Sequence, residues 1–130
     1  MTVPRDLSLD DLGARLRRAF PLSEAQALLQ PRYRGGHSDS AGFCYLASEV
    51  LYHALGGKQA GYTPMFVRHE DAPHWYLQTH EGEILDVTAD QFATPVPYVQ
   101  GRGKGFLTRT PSRRAMVLAD LAGISLLQSG

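Results

Sequence analysis

The sequence predicts an α+β domain in which a helix bearing the single cysteine packs on a small antiparallel sheet. Three observations predict it. An almost uniformly apolar run of helical spacing begins at Phe43-Cys44 and ends at Gly56-Gly57, as a helix buried on all sides requires. Short β-branched and aromatic runs follow, separated by turn residues. Amphipathic helical patterns flank this block on both sides.

The elements follow in order. Ser8 is an N-cap candidate, with Asp10 and Asp11 in the first turn, where acids suit the helix dipole. Leu9, Leu12, Leu16 and Phe20 recur at helical spacing until Pro21 stops the helix. Ser23 and Gln26 make a capping-box signal for a second helix, through Ala25, Ala27, Leu28 and Leu29 to Pro31. Residues 31–42 are turn chemistry. The central helix then carries Cys44, Leu46, Ala47, Val50, Leu51, Ala54 and Leu55. Met65-Phe66-Val67, Trp75 to Thr79 and Glu83 to Val87 read as three strands, the last two joined through Glu81-Gly82. Thr88 to Phe92 starts a short helical turn. Residues 93–110, rich in Pro and Gly, are expected as loop, and a last helix is capped by Ser112. The division expected is one domain over 1–130: a helical extension over 1–34, a core over 35–110 and a C-terminal helix over 111–130.

At 130 residues and 43% hydrophobic content, the chain suffices for one core without a disulfide or metal staple. A single cysteine excludes an internal disulfide and a CxxC metal site, and fits a reducing compartment. No signal peptide or transmembrane run is evident, so a cytoplasmic location is expected. The net charge is zero, yet unevenly spread. Residues 1–34 carry six arginines against four acids, and residues 35–92 two bases against eight acids. Residues 93–130 carry five bases against Asp120. An acidic middle favours a basic or neutral substrate there, unless the flanks neutralise it in three dimensions.

Cys44, His74 and Asp86 carry the chemistry. A thiol attacks as its thiolate, and a helix N-terminus and a neighbouring imidazolium both favour that form. Cys44 has the first by position, and its first-turn N–H groups suit an oxyanion. His74 would supply the second and protonate the leaving group. Asp86 would hold the imidazole tautomer. Singly, each has a plainer role: an inert core thiol, a structural histidine beside Trp75, and a cap for the turn after Val87.

Parity sets a condition. A two-residue Glu81-Gly82 turn pairs His80 with Glu83, and hence Leu77 with Asp86. That puts His74 and Asp86 on opposite faces of the sheet. The constellation therefore predicts a three- or five-residue connection or a bulge.

Gly42-Phe43-Cys44-Tyr45, His74-Trp75-Tyr76-Leu77 and Leu85-Asp86-Val87-Thr88-Ala89-Asp90-Gln91-Phe92 resemble the papain-like cysteine hydrolase superfamily. Within it they are most similar to the compact transglutaminase-like and bacterial cell-wall-peptidase-like cores, and to small proteins of bacteria and their phages. The resemblance covers residues 35–110. It implies Cys44 as nucleophile, His74 as base and Asp86 as orienter. The family often places an oxyanion-donating Gln before the Cys. This chain has none there, so His37, Ser40 and Tyr45 are the candidates in its place, with Trp75 and Gln91 as further cleft candidates.

The activity expected is hydrolysis or acyl transfer at an amide or isopeptide-type bond, as in peptidases, deamidases and transglutaminases. The alternative is a non-catalytic binding or inhibitor module on the same fold, such as a phage protein acting on a host factor. A peptide or protein substrate is expected, with no cofactor, nucleic acid or membrane; nothing in the sequence specifies an oligomeric state. Gly101 to Phe106 lacks the strand-and-helix context of a phosphate-binding motif and reads as a flexible basic loop. A zinc site from His69, His74 and Asp86 lacks a recognisable spacing. His53, late in the central helix, suits the negative end of its dipole.

Overall fold

The computed structural model describes residues 9–33 and 40–126. Among them are four helices and one antiparallel sheet of four strands. Helix α1 spans Leu9–Ala19, α2 Ser23–Gln26, α3 Cys44–Ala54 and α4 Arg113–Ala122. Strand β1 spans Tyr62–His69, β2 Ala72–Thr79, β3 Ile84–Leu85 and β4 Arg102–Gly103, in the order β3-β2-β1-β4. Ser8 and His37 lie outside the described residues.

Helix α3 is central because its sequence leaves it no polar face. Cys44, Leu46, Ala47, Val50 and Leu51 are all buried. Leu12 and Leu16 of α1, Leu118 of α4 and Leu77 of β2 join Leu46, Ala47, Val50 and Leu51 in one core. The Phe20 and Phe43 rings stack at 4.5 Å, tying the end of α1 to the start of α3. Left-handed Gly56, at φ 100°, lets the chain leave α3 for the sheet.

The Ser23–Gln26 capping box does not form. Leu22 is the N-cap, Ser23 Oγ donates to Glu24, and Gln26 Nε2 donates to the Phe20 carbonyl at 2.9 Å. The helix is a single turn rather than a run to Pro31, because its side chains bond elsewhere than to its own first N–H groups. By contrast, the Ser112 side chain does cap α4, accepting from Ala115 N–H.

The sheet differs from expectation in the turn after β1 and along the outer edge of β1. Glu70 and Asp71, at φ 50° and 63°, form a two-residue turn joining β1 to β2, with His69 paired to Ala72. Both left-handed values match the twist of a tight hairpin. The expected basic loop supplies β4: Met65 pairs with Gly103 and Phe66 with Arg102. Lys104 Nζ sits 4.6 Å from the Phe66 ring centroid, a cation–π contact that holds this edge.

One buried charge ties α3 to α4. Glu49 is fully buried, accepting from Ser112 N–H at 2.6 Å and from Ser112 Oγ at 2.9 Å. Glu49→Ala strands these donors, at a cost of about 2–3 kcal/mol. Thermal unfolding should show Tm lowered by roughly 5–10 °C.

Candidate active site

The β2–β3 connection decides which side chains meet. Leu77 pairs with Leu85 and Gln78 with Ile84, leaving His80, Glu81 and Gly82 as a three-residue loop. Gly82 takes φ 92° and donates its N–H to the Thr79 carbonyl. Thr79 Oγ1 accepts from Glu83 N–H. One step beyond Leu85, Asp86 falls opposite Tyr76, on the same face as His74. The connection is therefore of the odd length that the parity condition requires.

His74 and Asp86 meet at that face. His74 Nε2–H donates to Asp86 Oδ2 at 2.6 Å, and the two side chains are 0% and 3% exposed. That length marks a strong, charge-assisted hydrogen bond. Burial alone would hold His74 below its ordinary value. Hydrogen bonds to Asp86 and Cys44, and their charges, outweigh it and raise the pKa to about 9. The ring is thus an imidazolium at neutral pH.

Asp86 divides its oxygens between two tasks. Oδ1 accepts from Thr88 N–H at 3.2 Å and Thr88 Oγ at 3.4 Å, capping the turn that follows. Oδ2 accepts from His74 and from the Tyr98 hydroxyl at 2.7 Å. The capping role and the orienting role coexist, one oxygen to each. Tyr98 lies in a 3-10 turn, Tyr98–Gln100, inside the segment expected as loop, and no motif marks it. Burial, reinforced by Asp86, pushes its pKa up, so it remains a donor. The Tyr98 carbonyl in turn accepts from the Tyr76 hydroxyl at 3.3 Å. Gly101 makes this possible, because a Cβ there would collide with that hydroxyl.

Cys44 opens α3. Its thiol points toward the start of β2, donating to the Pro73 carbonyl at 3.8 Å. Cys44 is 9% exposed, whereas His74 is sealed. The N–H groups of Cys44, Tyr45 and Leu46 have no acceptor within the helix, since Ala47 N–H takes the first bond, to Phe43.

The other expected cleft residues separate into two sets. Gln91 lies in the site, its carboxamide 3.3 Å from His74 Nδ1. A carboxamide both donates and accepts, so it can serve either protonation state of that nitrogen. Ser40 is close by but bonded, donating to Asp90 Oδ1 at 2.8 Å and tying the approach to α3 to the turn after Asp86. Tyr45 and Trp75 face away from His74. Trp75 pairs with Phe66 on the helix-facing side of β2 and meets Tyr45 edge-on at 4.9 Å. The Tyr45 hydroxyl accepts from Leu107 N–H at 2.8 Å. His69 bonds to Thr94 rather than converging with His74 and Asp86. Among the described residues no group of three His, Cys, Asp or Glu is arranged to hold a metal ion. Among the described residues His53 Nε2 is buried without a hydrogen-bond partner, and burial holds its pKa low despite nearby Glu49.

No helix among the described residues is long and apolar enough to cross a membrane. Comparison of the chain with protein-family models, curated proteins and solved structures returns no match.

The pair sets a pH dependence with a definite sign. His74 is raised from 6.5 to about 9, so its contribution to stability is complete below about pH 6.5 and lost as pH rises through about 9. In Asp86→Asn the acceptor charge goes and burial remains. Imidazole NMR titration should show the His74 pKa falling from about 9 toward its ordinary value of 6.5, with Cys44 still holding it up against burial. The stability loss between pH 7 and 9.5 in denaturant melts should shrink with it.

Proposed function

We propose that this chain is a cysteine hydrolase or acyl transferase acting on an amide or isopeptide-type bond. Cys44 is the nucleophile, His74 the general acid and base, and Asp86 the residue that orients and charges the imidazole. The observation that carries this reading is the buried 2.6 Å contact between His74 Nε2 and Asp86 Oδ2 beside a thiol on a helix N-terminus. A cytoplasmic setting and a papain-like core belong to the same proposal.

The chemistry follows from which ring nitrogen Asp86 leaves available. Asp86 occupies Nε2, so Nδ1 faces the reaction. Because the imidazole is already protonated, the reacting pair is a Cys44 thiolate beside a proton held on Nδ1, and the sulfur attacks the substrate carbonyl carbon. The C=O π pair moves to oxygen, where first-turn N–H groups of α3 and the Gln91 carboxamide can donate. As the carbonyl re-forms, the C–N bond breaks and Nδ1–H protonates the departing amine. The acyl group is left as a thioester on Cys44. Water or an amine then attacks, giving its proton to Nδ1, and the sulfur leaves with the electron pair. Asp86 stays ionised throughout.

The alternative, a binding module on the same fold, draws on the 9% exposure of Cys44. Thiol reactivity separates the two. Iodoacetamide at pH 6 should alkylate native Cys44 at least tenfold faster than free cysteine, and His74→Ala should remove that advantage. Slow alkylation of the native protein with fast alkylation after denaturation would overturn the enzymatic reading. With a thiol-directed probe bearing peptide leaving groups, intact mass should show one adduct, absent in Cys44→Ala.

A further inference from the structure

We propose that a groove beside the first turn of α3 binds a polypeptide segment in which a large apolar side chain is flanked by carboxylates. This rests on the reading of Cys44 as an acyl acceptor and names the substrate class for it. The groove has a volume of about 540 Å³, within the range of pockets that hold small ligands or single anchoring side chains, about 300–1,000 Å³. Leu28, Tyr45, Leu46, Leu107, Arg113 and Arg114 are among the residues that line it. Gly42 also lines it, so Cys44 is bracketed in sequence by groove residues.

The apolar part is presented rather than incidental. Leu107 is 91% exposed. Its backbone is nonetheless fixed, because its N–H is held by the Tyr45 hydroxyl at 2.8 Å. Leu107 shares the lining of one groove with Leu28, Tyr45 and Leu46, so it extends an apolar patch rather than standing alone on the surface.

The charge decides the occupant. Arg113 and Arg114 begin α4, where a cation opposes the helix dipole, so they do not serve the helix. Among the described residues neither has an acidic partner. Glu49, which packs on this end of α4, has both oxygens committed to Ser112. Two neighbouring guanidinium groups without an acidic partner among the described residues, beside an apolar groove, select carboxylates next to the apolar anchor.

Fluorescence anisotropy with the Cys44→Ala protein tests this without turnover. The probe is fluorescein-labelled Glu-Asp-Leu-Glu-Asp amide; one control replaces its acids with Lys and another its Leu with Ser. The probe should bind at least tenfold more tightly than either control. Arg113→Glu with Arg114→Glu, and separately Leu107→Ser, should each weaken it at least fivefold. All three side chains are exposed, so the fold is retained, as a circular-dichroism melt will verify. The proposal is overturned if the Lys peptide binds equally, if the arginine reversals leave probe binding unchanged, or if no binding is measurable. It is also overturned if an oligothymidylate competes as tightly as the probe. The iodoacetamide rate of Cys44 should be the same in the arginine variants as in the wild type. Loss of the catalytic reading would appear in that rate, and loss of the groove reading in the anisotropy.

Discussion

Sheet parity governs this molecule. A three-residue connection places Asp86 on the face of His74, whereas a two-residue turn would place it on the face of Leu77, under the helices. A one-residue slip exchanges faces for every side chain beyond it. Asp86 would then be a carboxylate in an aliphatic core, and His74 a buried imidazole without an acceptor. Neither state is sustainable at low cost. Gly82 permits the odd loop by taking φ 92°, and Thr79 fixes it through Glu83 N–H. The charge on the imidazole is thus a consequence of loop length.

The two faces of the sheet have different work. The helices cover the face of Leu77 and bring the N-terminus of α3 to the start of β2. The segment from Phe92 to Gly101 covers the other face, with Phe92 edge-on to His74 at 4.8 Å and Val96 buried beside Met65, Val67 and Tyr76. This strap excludes water from the His74–Asp86 bond, which strengthens it. It also delivers the Tyr98 hydroxyl. A carboxylate that accepts from His74, Tyr98 and Thr88 together has little freedom to rotate, so the imidazole it holds is equally fixed.

The features legible in the sequence were those with local causes. The start of α3 was readable because turn chemistry up to Gly42 gives way abruptly to an apolar helical run. Ser112 was readable as a cap because Pro111 precedes it and a helical pattern follows. The odd loop was readable only by demanding that His74 and Asp86 cooperate; Glu81-Gly82 alone suggests a shorter turn. The Glu70-Asp71 turn was missed because neither residue is the Gly or Asn usual at left-handed positions. Strand β4 was missed because two residues flanked by glycine carry no period, and pairing with β1 alone makes them a strand. Tyr98 and Glu49 were illegible for one reason: each acts through a partner that only the tertiary fold brings near, Asp86 for one and Ser112 for the other.

Charge shows the same limit of composition. The acidic middle of the chain suggests a negative surface around Cys44. Yet Asp86 faces a buried imidazolium, Glu49 is buried on Ser112, Glu70 accepts from Thr94 and Asp90 accepts from Ser40. Half of the eight acids in residues 35–92 are therefore committed to internal donors. Arg113 and Arg114 have no acidic partner among the described residues. A carboxylate already satisfied by N–H and O–H groups attracts a passing ligand less than an exposed guanidinium does. Beside the first turn of α3, then, the charge left to recognise a partner is positive, although a count along the chain gives the opposite sign.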